Sequence, residues 1–359
     1  MTVTDSGIGP VRIVGVGLLG SSIGLALRQH GVEVQLADAS PTHVRIAADY
    51  GAGRAAEATD QPELIFVCVP PDVTAAVVEA ELAAFPHAIV ADVSSVKQSI
   101  LHQLRASSAD VSRYIPTHPM AGRERGGPSA GRADLFAGRP WAVCWHAGAV
   151  SATPVEAVIR LLGASVVNLS AEDHDRAVAL VSHAPQMLAT LMGRRLGAAP
   201  DADVALAGQG VRDVTRLAAS DPELWVQILG ANADAIGPVL DELRADLQRA
   251  IDALADIEAP GARRTLAELF SAGNSGVAKL PGKHGHGGRF SSLTVLVDDT
   301  PGQLARLLTE IGEIGVNLED LRLEHSPSAQ VGLAELSVVP DAAERLATEL
   351  TERGWRITG

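Results

Sequence analysis

Residues 11–20 read Val11-Arg12-Ile13-Val14-Gly15-Val16-Gly17-Leu18-Leu19-Gly20, and a helical pattern, Ser21-Ser22-Ile23-Gly24-Leu25-Ala26-Leu27, follows directly. An apolar, β-branched run thus passes through G-x-G-x-x-G into a helix. In that context the first glycine makes a tight turn, the second lets the backbone approach a pyrophosphate, and the third lets helix pack on strand. The helix start then offers free N–H groups to phosphate oxygens. Gly15, Gly17, Leu18, Leu19 and Gly20 are the candidate dinucleotide-binding residues. Asp38 joins them, because it ends the next apolar run 18 residues after Gly20. A carboxylate there accepts from both ribose hydroxyls and repels a 2′-phosphate, which points to NAD over NADP.

Outward from this turn, VRIVGV, EVQLA, LIFVCV, AIVADV, RYIP, WAVCW and SVVNL read as strands, with helical spacing in most of the stretches between them. Continuous apolar strands alternating with helices predict a mostly parallel sheet covered on both faces. The expectation is an α/β protein with a Rossmann-type doubly wound sheet in an NAD-binding domain over residues 1–170. Ser40-Pro41 reads as a cap followed by proline, and Thr153, Pro154 and Glu156 read as a capping box. From 171 to 280 the strand signal disappears, and an all-helical domain is expected. One of its helices should open at Asp221-Pro222, run past 250 and kink at Gly237-Pro238. Long helices of this kind bury apolar faces in a partner, so a homodimer is expected. Residues 273–290, rich in glycine and basic residues, read as a linker. Residues 291–359 read as a compact βαββαβ unit, with caps at Thr300-Pro301-Gln303 and Asp341-Glu344.

The chain has 359 residues, so each domain can bury a core, and its apolar share is 47%. The net charge is −14 and aromatics are 3%, which argues against a nucleic-acid or anionic-membrane partner. That charge is uneven: −3 over 1–170, −8 over 171–260, +4 over 261–290 and −7 over 291–359. The cofactor region is therefore near neutral, and anions are not opposed where they would bind. Cys68 and Cys144 both sit in apolar runs, as buried reduced thiols do; with no export or spanning segment, the expected location is cytoplasmic.

Three further segments carry chemistry. Asp92-Val93-Ser94-Ser95-Val96-Lys97 lies at a strand end, the edge at which open α/β sheets bind ligands. Thr117-His118-Pro119-Met120-Ala121-Gly122-Arg123-Glu124 also follows a strand, and a histidine there is placed to act rather than to pack. The third, Gly208–Ala218, carries Asp213 and Arg216. That pair is either an ordinary helix pair or a carboxylate clamp held by its own counter-ion. His174, between Asp173 and Asp175 at a helix start, reads as a solvated first-turn residue.

Taken in order, G-x-G-L-x-G-x-S, S-V-K, H-P-M-A-G-x-E, S-H-x-P and D-x-T-R-L-A-x-S-D-P resemble the prephenate/arogenate dehydrogenase family of tyrosine biosynthesis, across roughly residues 11–280. The last 68 residues resemble an ACT domain, a regulatory module. Asp298, Asp299, Pro301, Gly302 and Leu304 match its first strand-to-helix turn, and Val316-Asn317-Leu318 its second strand. The resemblance implies hydride transfer from the hydroxyl-bearing ring carbon of a cyclohexadienol to NAD, with loss of CO2. The protein then mainly binds, orients and moves one proton. It implies that His118 is the base, expected to titrate near neutrality, and that Ser95 holds the same hydroxyl. It also implies that Arg216 binds a substrate carboxylate, that Asp213 orients it, and that Glu124 and His183 line the pocket. No metal is called for. At the position linked to substrate side-chain recognition the family often carries histidine, and here it is Gln186. A neutral amide suits the keto acid prephenate or the amino acid arogenate. The ACT-like unit implies an aromatic amino-acid effector near Asp299, Gly302 and Asn317. Arg123 stands where a smaller residue is common. Pro281-Gly282-Lys283-His284-Gly285 reads as a basic linker, or as positive potential from Lys283 and Arg289.

Two rivals are weaker. The 3-hydroxyacid and 6-phosphogluconate dehydrogenases use a lysine on the helix after the Rossmann domain, and none occurs here between Lys97 and Lys279. A non-catalytic sensor of NAD and amino acids would need no His118, Ser95 or Arg216.

Overall fold

The computed structural model describes residues 7–122, 126–280, 290–325 and 331–358. Arg123, Glu124 and the 281–289 stretch with Lys283 and Arg289 lie outside the described residues. The chain divides into two compact units, residues 1–198 with 215–242, and residues 199–214 with 243–359.

In the first unit eight strands form one sheet: β1 (Val11–Val14), β2 (Val34–Ala37), β3 (Arg54–Ala55), β4 (Leu64–Val67), β5 (Ile89–Asp92), β6 (Tyr114–Pro119), β7 (Pro140–Trp145) and β8 (Ser165–Ser170). Their order is β3-β2-β1-β4-β5-β6-β7-β8. Every neighbouring pair is parallel except β6 and β7. Side chains alternate across a strand, and the apolar runs fill both faces accordingly. Ile13, Phe66 and Trp141 pack on one side with α1 (Leu18–Gln29) and α5 (Thr153–Leu161). Ile65, Val67 and Val90 pack on the other with α3 (Pro71–Ala84) and α4 (Gln98–Ala106). This is the doubly wound arrangement expected. The short α2 (Pro41–Asp49) opens on Ser40, whose hydroxyl accepts from His43 N at 3.3 Å, as its cap-proline signature predicts.

The expected capping box at Thr153 is not formed. The helix begins on Thr153 itself, Ala152 is its cap, and the Ser151 and Thr153 hydroxyls bond each other at 2.7 Å. Beneath the sheet's C-terminal edge lies a fully buried ion pair, Lys97 with Asp92. Lys97 Nζ also donates to the Thr117 carbonyl at 2.7 Å. Asp92 accepts from Ser94 N at 2.9 Å, Tyr114 OH at 2.9 Å and Thr117 N at 3.2 Å. The pair thereby locks β5 to β6 just before His118.

Seven helices follow β8: α6 (Ala171–Val178), α7 (Ala184–Leu196), α8 (Asp201–Val204), α9 (Gln209–Thr215), α10 (Pro222–Ala231), α11 (Ala233–Ala255) and α12 (Ala262–Val277). A π-turn, Ala179–His183, joins α6 to α7. Pro185 lacks an N–H and its ring would crowd the carbonyl of Val181, and a widened turn relieves that conflict. The expected kink at Gly237-Pro238 lies elsewhere. The break is at Asn232, between α10 and α11, and Pro238 is carried inside α11. Helix α12 also runs to Val277, into the stretch read as linker.

The second unit's C-terminal part contains β9 (Ser291–Asp298), α13 (Gln303–Ile314), β10 (Asp320–His325), β11 (Val331–Val338), α14 (Pro340–Glu352) and β12 (Arg356–Thr358). This βαββαβ order folds into an antiparallel sheet, β10-β11-β9-β12. Val295, Leu307, Ile311, Leu336, Leu346 and Leu350 form its core. Three local expectations differ. Gly302, at φ +92°, caps α13 in place of Thr300. Val339 precedes α14 with no side-chain cap from Asp341. The second strand starts at Asp320, which leaves Asn317 exposed ahead of it.

Lys97→Met should cost about 3–5 kcal/mol, because it strands the buried Asp92 carboxylate without its cation. A urea midpoint equal to wild type would contradict this account of the sheet edge.

Candidate functional site

Each glycine of the turn behaves differently. Gly15 has φ +93°, and a Cβ there would stand 2.5 Å from the Cys68 carbonyl oxygen. A Cβ on Gly20 would stand 2.0 Å from the Gly15 carbonyl oxygen, so close helix–strand contact requires glycine. A Cβ on Gly17 would meet nothing within 4 Å. Its lack of a side chain therefore serves open space, where a ligand's backbone-hugging group fits. Helix α1 has no side-chain cap and no acid in its first turn, so the Leu18 and Leu19 end of the helix remains electropositive. The Asp38 carboxylate accepts from Val16 N and Ser40 N, both at 2.8 Å. It ties the end of β2 to the glycine turn, and each oxygen keeps a lone pair for a ribose hydroxyl. These residues fit a dinucleotide.

Because β5 and β6 are parallel neighbours with Asp92 opposite Pro116, the chain after each strand leaves the same sheet edge side by side. Ser95 is half-buried in one of these segments, and His118 is 8% exposed at the end of the other strand. His118 Nδ1 lies 2.9 Å from His174 Nε2, and His174 Nδ1 lies 2.8 Å from Asp175 Oδ1. His174 is 1% exposed, so the expectation of a solvated residue is wrong. The flanking aspartates suggested solvent, yet only Asp173 faces it; Asp175 is buried. Asp175 also accepts from Lys97 N at 2.9 Å and Gln98 N at 2.8 Å, acting as a distant cap for α4. His118 is held well below the ordinary histidine pKa, first by burial and then by His174, Lys97 and His183. It is therefore neutral at pH 7, and its expected near-neutral titration is displaced downward.

His183 is also neutral, pushed to about 4 mainly by burial. Its Nδ1 accepts from Asn232 Nδ2 at 3.0 Å, which leaves Nε2 as the protonated nitrogen. The same Asn232 amide donates to the Asp175 carbonyl at 2.9 Å, so the break between α10 and α11 places a side chain on two site elements. Gln186 is 5% exposed, and its amide donates to the Leu217 carbonyl at 2.9 Å, which pins the turn carrying Arg216. Asp213 accepts from Gln209 at 2.8 Å.

Two residues beyond His118, an open cavity of about 520 Å³ begins at Met120 and Gly122. Arg132, Arg139 and Arg216 line it, together with Asp134. Arg132 is neutralised by Asp134 through a two-pronged contact at 2.7 and 2.8 Å. Among the described residues neither Arg139 nor Arg216 has a carboxylate partner. Two uncompensated guanidinium groups in one cavity suit an anionic ligand. Sequence reading missed Arg139; its signal was an arginine next to a strand start on the ligand-binding edge.

Residues 23–168 match the family model for the prephenate dehydrogenase nucleotide-binding domain, and residues 170–270 match that for the prephenate dehydrogenase dimerization domain. The chain is 35% identical to "Probable prephenate dehydrogenase NovF" of Streptomyces niveus, over 96% of this chain and 98% of the relative. Among solved structures it resembles Synechocystis arogenate dehydrogenase at 25% identity and TM-score 0.62, covering 74% of this chain and 99% of that one. It also shares the fold of prephenate dehydrogenase from Aquifex aeolicus in complex with hydroxyphenyl propionate and NAD⁺. That likeness has 23% identity and TM-score 0.66, and covers 75% of this chain and 98% of the other.

Gly17→Ala and Gly20→Ala should separate binding from folding. The first should leave the melting temperature unchanged and weaken NADH binding at least about tenfold, since only the ligand approaches there. The second should destabilise the fold by about 1–3 kcal/mol through overpacking. Equal NADH affinity in Gly17→Ala and wild type would contradict this placement of the dinucleotide.

Proposed function

The chain belongs to the prephenate dehydrogenase family, and we propose that it converts prephenate to 4-hydroxyphenylpyruvate and CO2, a step of tyrosine biosynthesis. It is an NAD-dependent oxidoreductase. The observation that carries the substrate reading is the arginine cavity opening two residues past His118 at the ligand-binding edge of the sheet. Prephenate carries two carboxylates and a ring hydroxyl, and the cavity and the histidine answer both.

Bound NAD⁺ supplies the hydride acceptor. The protein's own part is positioning and proton handling. Arg216 pairs with one substrate carboxylate, and Arg139, in the same cavity, faces the other. Neutral His118 accepts the hydroxyl proton as hydride leaves the carbon, and Ser95 holds the same oxygen. Loss of the ring carboxylate as CO2 makes the ring aromatic, which drives the reaction forward. Glu124, outside the described residues, belongs to the substrate-binding set by the family resemblance alone. His183 presents an N–H to the site, and Gln186 keeps the Arg216 turn in place.

The matched dimerization region spans 170–270. Leu180, Val181, Leu188, Leu191 and Met192 are exposed there, and they suit burial in a second copy, so the enzyme works as a homodimer on a small-molecule substrate. Among the described residues no helix is long and apolar enough to cross a membrane. The free thiols Cys68 and Cys144 suit the reducing cytoplasm. The C-terminal βαββαβ unit acts as an ACT-like regulatory domain for tyrosine or phenylalanine, bound near Asp299, Gly302 and Asn317. Kinetics and melting temperature unchanged by either amino acid would remove that regulatory role.

A second reading, arogenate as substrate, is favoured by Gln186, whose carbonyl is able to accept from an ammonium group. A side-by-side assay with NAD and NADP decides. Prephenate with NAD should give a kcat/KM at least about tenfold above every other combination. Faster turnover of arogenate would replace the first reading, and preference for NADP would contradict the role of Asp38.

His118→Asn should lower kcat by about 10²–10⁴ with near-normal NADH affinity. Arg216→Ala should raise the prephenate KM by about ten- to a hundredfold, the worth of a charged hydrogen bond. Because the neutral form of His118 is the active one and burial lowers its pKa, kcat/KM should fall only as pH drops below about 6.5, the ordinary histidine value. A limb centred above that value would contradict the buried base.

A further inference from the structure

We propose that His118 and His174 form a two-imidazole proton store closed by Asp175. The substrate's hydroxyl proton is held there during oxidation and returned to the same oxygen when the ring becomes aromatic. The proposal rests on the reading of the substrate given above and adds the atom that acts, together with a function for two residues that the reading does not use.

The hydrogen-bond order fixes the protons. Asp175 is 2% exposed and accepts from two backbone N–H groups, Lys97 and Gln98. With both oxygens accepting from backbone N–H groups, this carboxylate is the acceptor in its contact with His174. The hydrogen in its 2.8 Å contact with His174 therefore sits on His174 Nδ1. That leaves His174 Nε2 bare, so the 2.9 Å contact with His118 is a donation from His118 Nδ1–H. The two rings meet edge to face, 5.1 Å between centroids and 70° between planes. By elimination the lone pair of His118 is on Nε2, the nitrogen left for substrate.

The reaction's proton balance gives the store its purpose. Prephenate dianion and NAD⁺ become 4-hydroxyphenylpyruvate anion, CO2 and NADH, with no net proton taken up or released. A proton removed from the ring hydroxyl must return when the phenol forms. In the first half the O–H bond breaks, its electron pair becomes the second C–O bond as hydride leaves, and the proton joins His118 Nε2. The Nδ1 proton of His118 then passes to His174 Nε2. The positive charge comes to rest on His174 against the Asp175 carboxylate, and leaves His118, where the Lys97 charge disfavours it. In the second half the ring carboxylate leaves as CO2, and its bonding electrons aromatise the ring and place charge on oxygen. The two protons step back, His174 to His118 and His118 to the phenolate. The Lys97 ammonium disfavours charge on His118 and the Asp175 carboxylate faces His174, so the charge moves toward His174.

His174 is a positioning residue in this scheme, since it acts through His118. The tautomer is tested first in the wild-type protein by nitrogen NMR of labelled histidine, with the His118 signals identified by their loss in His118→Asn. The expected result is a protonated Nδ1 and a bare Nε2; the opposite tautomer overturns the proposal. The second test is His174→Gln, whose amide oxygen still accepts from His118 Nδ1–H but takes no proton. Its kcat should fall by about ten- to a hundredfold, less than the loss of the base itself because His118 still accepts the proton, while the prephenate KM and NADH affinity stay within about twofold. An unchanged kcat, or a loss seen only in KM, also overturns it. Absence of prephenate turnover in wild type would refute the substrate reading instead, and the tautomer measurement would still decide the hydrogen-bond order.

Discussion

One buried carboxylate, Asp175, joins the fold to the chemistry. It accepts from Lys97 N and Gln98 N at the start of α4, and from His174 on its own helix. The first two bonds fasten α6 to the nucleotide-binding sheet. The third sets the orientation of the ring that contacts His118. A buried carboxylate is costly unless it is fully hydrogen-bonded, and Asp175 satisfies that condition with groups that would otherwise be unpaired at a helix end. The same bonds that make it tolerable make it a fixed acceptor for the histidine.

Around that point the electrostatics divide into two zones. Below the edge, Lys97 and Asp92 neutralise each other while holding Thr117, the residue before His118. Beyond it, the cavity carries Arg139 and Arg216 without carboxylate partners among the described residues. Between the two, His118 is kept neutral by burial and by the nearby Lys97 charge. The price is reduced basicity, offset by a route for positive charge toward Asp175. The proposed base and anion-binding groups thus differ by environment rather than by residue type alone.

Much of this was legible in the residues. The G-x-G-x-x-G turn fixed a strand, a helix and the expected binding edge together, and Gly15 and Gly20 show the steric reasons for it. His118 was legible because polar residues at strand ends have few packing duties. His174 was not, since neighbours that differ in burial, Asp173 and Asp175, look identical in sequence. The break at Asn232 was hidden for a related reason: proline marks where a helix is strained, and here α11 absorbs Pro238 while a tertiary hydrogen bond to His183 and Asp175 decides the break. Caps at Thr153, Thr300 and Asp341 failed because the signature fits several adjacent starts, and the preceding backbone chose Ala152, Gly302 and Val339. Arg139 and Arg216 are far apart in sequence, and only folding brings them to one cavity.

The most direct test of the account is a crystal structure of the enzyme with NAD⁺ and a phenolic product analogue bearing a carboxylate. The phenol oxygen should lie within about 3 Å of His118 Nε2, as a proton acceptor must, with the carboxylate on Arg216. A phenol oxygen facing away from His118, or contacting its Nδ1 after displacement of His174, would contradict it.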